Sequence, residues 1–219
     1  MKNKLKSIII LLICAMATGC YTNIKYYGAN KGDFQVSEWK GNCVISFTTD
    51  SSIGGYAVID DSTYQSFLKV VADVDNRNCD KKSVMFSSSG GSVNAAIKIG
   101  LLINQKGYDT TLQLGQGCSS ACGIIFIAGK GRVALTSKTM TNSRIGFHQI
   151  SKDKVCIEPS APEYMAIEKY SRRVLKADIA DAFIKLMKST SCKSMTYVTA
   201  VDLEKIGIAT KLEAHAWGI

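Results

Sequence analysis

The chain predicts an α/β domain with a mostly parallel sheet of βαβ units, and three observations carry that reading. Short runs rich in β-formers alternate with stretches whose apolar residues recur at helical spacing, from residue 43 almost to the end. Two of those runs, 83–87 and 108–114, end in glycine-rich turns that lead directly into helical stretches. Apolar residues make up 46% of 219 residues, enough to fill one domain core and to exclude a disordered chain.

The first forty residues precede that pattern. Residues 1–19 carry Lys2, Lys4 and Lys6, an apolar run over 8–16, and small residues before Cys20, the three parts of an export signal. The apolar run is too short to span a bilayer as a permanent helix. Ala17, Thr18 and Gly19 directly before Cys20 resemble a bacterial lipoprotein box, with Ala17 where leucine is usual. Cys20 is therefore the expected lipidation site and first mature residue, against an ordinary secretory signal or a plain amino-terminal anchor. Tyr21 is not the aspartate of an inner-membrane retention signal, which points to the outer membrane, facing the periplasm. Residues 20–40 are polar and aromatic and read as a tether closing as a strand on the body; 41–219 form the domain.

Within the domain, 43–50 alternates and reads as a strand. Asp61 or Ser62 caps a helix with Tyr64, Phe67, Leu68, Val71 and Val74 on its apolar face. Strand 83–87 runs into Ser-Ser-Gly-Gly and a helix that stops at Gly107. Strand 108–114 runs into "GQGCSSACG" and a helix opening at Ser120. "RVALTS" and "RIGFHQI" read as strands, 161–192 as a long helix broken at most once, and the end as a short helix before a final strand. In such sheets ligands meet the carboxyl ends of the strands, where helix amino termini offer free N–H groups.

Charge and cysteines narrow the setting. Of 27 basic residues the three leader lysines leave 24 in the mature chain, against 18 acidic, a balance of +6. That excess is spread along the chain, which suits anionic surfaces but offers no basic groove, so nucleic acid is not an expected partner. Six cysteines remain after Cys14 and Cys20: Cys43, Cys79, Cys118, Cys122, Cys156 and Cys192. An even number in an oxidising compartment favours disulfides, with the connectivity open. Cys118 and Cys122, four apart, are expected to bridge locally, and Cys43–Cys79 and Cys156–Cys192 to close the longer spans. Outward pairing or small buried thiols are the alternatives. Zinc at Cys118 and Cys122 would need His148 or His215 and has no CxxC spacing, so neither metal nor cofactor is expected.

Acyl transfer needs a nucleophile, a base and oxyanion donors, and the chain offers a candidate for each. Ser120 stands where a helix opens, His148 is one of only two histidines and ends a strand, and Gly90 and Gly91 leave backbone N–H groups unobstructed. The competing readings are a helix cap for Ser120 and a structural role for His148. A thiol nucleophile at Cys118 or Cys122 would need a depressed pKa.

"SSSGGSVNAAIKIG", "GQGCSSACGIIFIAG" and "RIGFHQ", in that order, resemble the Clp protease proteolytic subunit and its relatives in the crotonase-like superfamily, over roughly residues 43–212. The resemblance implies their fold, with Ser120 rather than Ser119 as nucleophile, His148 as base, and Gly90, Gly91 and the Ala121 N–H at the oxyanion. It also implies a peptide or protein substrate and a homo-oligomer, since relatives assemble as rings or trimers. The departure is the third member: "YVTAVDLEKIGIA" matches the family, but the acid's position falls near Met195. Ser194, Thr196, Asp178, Asp181 or a backbone carbonyl are the candidates to orient His148 instead. Loss of the acid costs such enzymes about 10⁴ in turnover. The chain thus reads as an envelope-anchored serine-type peptidase. The rivals are an inactive lipoprotein that binds a peptide or envelope component and, more weakly, a coenzyme A-thioester enzyme that export would part from its cofactor.

Overall fold

A computed structural model describes residues 22–29, 32–39, 41–48, 57–115 and 117–214. The leader with its Cys20 segment, the glycine turn at 49–56 and His215 lie outside the described residues.

The main sheet has seven strands, in the order β1-β2-β3-β5-β7-β9-β14. β1 (Thr22–Ala29), β2 (Gly32–Trp39) and β3 (Asn42–Thr48) form an antiparallel meander at one edge. From β3 onward the pairing is parallel, through β5 (Lys81–Phe86), β7 (Asp109–Leu112), β9 (Arg132–Thr136) and β14 (Lys211–Ala214). The segment read as a tether thus supplies two strands to the sheet. Phe34 and Val36 are fully buried there, so this hairpin belongs to the core.

Each crossover helix buries one face. α1 (Asp61–Asp75) opens on a capping box, in which Asp60 accepts from the Thr63 N–H and the Thr63 hydroxyl oxygen accepts from the Asp60 N–H. Its buried face is Phe67, Val70, Val71 and Val74; Leu68, expected inside, lies at the edge of the stripe and is 37% exposed. Phe67 meets Phe34 and Phe86, and Phe34 meets Phe47, with ring centroids 4.7 to 6.3 Å apart. α2 (Val93–Lys106) ends at Gly107 with φ 68, where only glycine closes the cap without strain.

A second, smaller sheet carries the chemistry-bearing turns. It orders β13 (Thr196–Thr199), β10 (Arg144–Phe147) and β8 (Cys118–Ser119). β4 (Val58–Ile59) pairs parallel with β6 (Gly90–Gly91) beside it. α3 (Ala121–Phe126) is short and buried along its whole length. The long helical stretch is broken once, at Leu175 and Lys176, into α4 (Pro162–Val174) and α5 (Ala177–Ser189); α6 (Ala200–Ile206) follows β13. A small hairpin of β11 (Ser151–Lys152) and β12 (Val155–Cys156), absent from the sequence reading, follows His148. No helix among the described residues is long and apolar enough to cross a membrane.

The six cysteines pair as expected from their spacing. Cys43–Cys79, Cys118–Cys122 and Cys156–Cys192 have Cα atoms 5.7, 5.2 and 5.4 Å apart, within the range a disulfide spans. The two long loops each stabilise the fold by about 3 to 4 kcal/mol in the chain-entropy picture. Arg132 is buried with no acidic partner among the described residues; its guanidinium donates to the carbonyls of Ile208, Gly129 and Gly207 at 2.7 to 3.2 Å. It thereby closes the carboxyl ends of α3 and α6 around β9, while burial lowers its affinity for the proton.

Candidate active site

Ser120 occupies the turn between β8 and α3 with φ 54 and ψ −121, a conformation an L-residue adopts only when its surroundings hold it there. Its N–H donates to Gly146 O at 2.8 Å and its carbonyl accepts from Gly123 N–H at 2.9 Å, which fixes both ends of the residue. The side chain makes no cap hydrogen bond, so the helix-cap reading fails. The hydroxyl stands on a sharp strand-to-helix turn of the nucleophile-elbow kind.

The Ser-Ser-Gly-Gly turn packs onto this elbow from the other side. Ser88, fully buried, donates its N–H to Gly117 O and accepts from Ser119 N–H, while its hydroxyl donates to Ala57 O at 2.6 Å. One serine therefore ties β4, the glycine turn and the elbow together. Gly90 has φ 107, and a β-carbon there would stand 2.8 Å from both Ser119 O and Ser120 Cβ, and 3.2 Å from the Ala121 nitrogen. Close approach of the two turns thus requires glycine. Gly90 donates its own N–H to Ser88 Oγ at 3.1 Å. Gly91 has φ 141 and lies against the Ile59 backbone, and Ala121, first residue of α3, has no intrahelical acceptor for its N–H.

His148 follows the strand that pairs with the elbow's own strand. β10 runs parallel to β8 with Ile145 opposite Cys118 and Gly146 opposite Ser119. Ser120 is the next residue past that pairing on one strand, and His148 the second past it on the other. The two residues after it are anchored: Gln149 donates its N–H to Thr190 O at 2.7 Å and its amide to Lys188 O at 3.2 Å, and Ile150 N–H donates to Tyr164 Oη at 3.0 Å. His148 itself is half-buried, and its Nδ1 is buried with no hydrogen-bond partner among the described residues.

β13 runs antiparallel to β10 with Phe147 opposite Thr196 as the last register pair, and His148 and Met195 each lie one residue beyond it. The Met195 thioether lies over Gly146, where a β-carbon would meet Sδ at 2.8 Å. The substitutes that the sequence offered are engaged elsewhere. Ser194 Oγ donates to Ser191 O, the Thr196 and Thr190 hydroxyls pair at 2.7 Å, and Asp181 accepts from Arg172 at 2.6 Å. Asp178 is exposed in the first turn of α5.

Tyr164 and Tyr170 went unnoticed in the sequence, and Ser88 and Gln149 entered it only as parts of their motifs, with no role of their own. Ser88 is one of three consecutive serines and nothing in the string separates it from its neighbours. Tyr164 and Tyr170 sit on the amphipathic face of α4, where an aromatic reads as core; Tyr170 Oη donates to Ile124 O at 2.8 Å and holds α3 from beneath.

No family model matches the sequence, and no curated protein matches it. Solved structures do. The 1510-N membrane-bound stomatin-specific protease, solved as an alanine mutant, matches with TM-score 0.54 and 15% identity over 71% of this chain and 75% of that one. The ClpP protease catalytic domain from Plasmodium falciparum matches with TM-score 0.54 and 17% identity over 74% of this chain and 85% of that one. The chain has the α/β fold of the ClpP-like proteases.

Proposed function

We propose that the protein is a serine-type peptidase held in the bacterial cell envelope through a lipid on Cys20, acting on peptide or protein substrates. Ser120 Oγ attacks the scissile carbonyl as its proton passes to His148 Nε2. The oxyanion is received by the N–H groups of Ala121 and Gly91, with Gly90 keeping the approach clear. The protonated imidazole then gives its proton to the leaving amine, and water, activated by the same base, hydrolyses the acyl-enzyme. The observation that carries this reading is the elbow: a serine held at φ 54 with its hydroxyl uncapped, just past the parallel pairing of β8 with the strand that leads to His148. The paired cysteines and the lipobox-like segment support an exported, lipid-anchored chain.

A fluorophosphonate probe tests the chemistry. Purified full-length protein should be modified at Ser120 alone, and Ser119→Ala should leave labelling largely intact. A chain that resists the probe belongs to the second reading, an inactive binding module on the same fold, which the orphaned His148 Nδ1 favours. The anchor has its own test: Cys20→Ser should abolish fatty-acid labelling and release the protein from membranes, and unchanged attachment would overturn it.

A further inference from the structure

We infer that the Cys118–Cys122 disulfide arms the nucleophile, so that the protein is inactive while its cysteines are reduced and becomes competent on oxidation. The inference rests on the peptidase reading. Ser120 is the midpoint of the five-residue span that the bridge closes, with Cα atoms 5.2 Å apart at its ends. It is also held at φ 54 without a side-chain cap, a conformation that relaxes unless the chain on both sides is constrained. Its backbone bonds to Gly146 and Gly123 supply part of that constraint, but the elements flanking it are short. On the amino side β8 has only two residues in its ladder, and on the carboxyl side α3 has only six residues to resist unwinding. The disulfide joins these two short elements across the turn.

Both sulfurs are buried, Cys122 completely and Cys118 nearly so, which makes the bridge resistant to exchange once the domain has closed over it. It therefore acts once, during maturation. The Cys118 and Cys122 thiols give up two protons and two electrons to a disulfide donor; their S–S bond forms as the donor's breaks, and the donor leaves as its dithiol. In a reducing compartment that step is absent and the elbow stays free to relax, keeping a peptidase silent until it is exported.

The test compares the Cys118→Ala/Cys122→Ala double variant with wild type and with Cys43→Ala/Cys79→Ala, which opens a bridge far from the elbow. Two measurements are made on the full chain: the rate of fluorophosphonate labelling at Ser120, and the backbone conformation of Ser120 from its NMR shifts and three-bond HN–Hα coupling. Labelling should slow at least tenfold in the elbow variant and by less than about twofold in the distal one. Ser120 should leave the positive-φ region only in the elbow variant. Equal labelling, or an unchanged Ser120 conformation, overturns the inference. Should wild type itself resist the probe, the peptidase reading fails, and the Ser120 conformation alone still decides whether the bridge sets the elbow. If the double variant does not fold, Cys43→Ala/Cys79→Ala refolded with and without reductant, beside the variant that also carries Cys156→Ala/Cys192→Ala and keeps only the elbow bridge, supplies the same two comparisons.

Discussion

The two halves of the site are built to different standards. Around Ser120 the turn is fixed by a disulfide, by backbone bonds to Gly146 and Gly123, by Gly90 packed against its β-carbon, and by Ser88 tying the neighbouring turn. Around His148 the main chain is anchored through Gln149 and Ile150, but the imidazole Nδ1 has no hydrogen-bond partner among the described residues. A nucleophile is complete when its backbone is placed, because its hydroxyl rotates freely. A base is complete only when its ring and tautomer are set, and that needs a partner. On the proposed peptidase reading, the histidine side therefore limits the rate of this site.

Removing the base breaks the comparison most severely. His148→Ala should lower the Ser120 labelling rate by about 10² to 10⁴, the range general-base catalysis contributes, with the fold retained in circular dichroism. A fall below tenfold would mean that the elbow alone activates the hydroxyl.

Gly90→Ala attacks the other half. A β-carbon at φ 107, pressed on Ser119 O and Ser120 Cβ, should destabilise the fold by about 1 to 3 kcal/mol and misplace the elbow. Denaturant unfolding reads the first effect and probe labelling the second; a variant normal in both would show that the two turns do not need their close approach.

The smallest effect concerns the support beneath α3. Burial pushes the Tyr170 hydroxyl well above its ordinary range; the Tyr108 hydroxyl is raised by burial and by its bond to Asp75, and burial raises Tyr164 too. The folded chain keeps these protons after the unfolded chain has lost them, so stability present below about pH 10 falls as pH rises past that value. Tyr170→Phe should cost about 1 kcal/mol at neutral pH by leaving Ile124 O without its donor, and should flatten the alkaline loss. Urea unfolding between pH 8 and 11 measures both, and an unchanged alkaline slope would remove Tyr170 from the account.

The fold was legible where the pattern was strong. Strands 83–87 and 108–114 with their glycine turns, and the helices behind them, announce themselves by β-rich runs followed by small residues. The roles proposed for Ser120 and His148 rest, in the sequence, on the order of three motifs, since each alone is a short string of common residues. The hairpin at 151–156 was not, because its pairing rests on two-residue strands with exposed side chains that leave no apolar alternation. Leu68 was misplaced because helical spacing admits Leu68 or Val70 on the stripe, and only the packing partner decides. The bond from Ser88 to Ala57 spans 31 residues, a contact that only tertiary structure brings about.

The imbalance itself has a direct test at Met195, one residue beyond the β10–β13 pairing that ends at Phe147 and Thr196. Met195→Asp restores a carboxylate at the position where the resemblance expects the acid, and the rate of Ser120 acylation by a fluorophosphonate or an activated peptide ester is compared with wild type. The account predicts a slow wild-type rate that rises at least tenfold in Met195→Asp and returns to the wild-type level in Met195→Asn. A Met195→Asp protein that folds normally yet acylates no faster than wild type would contradict it.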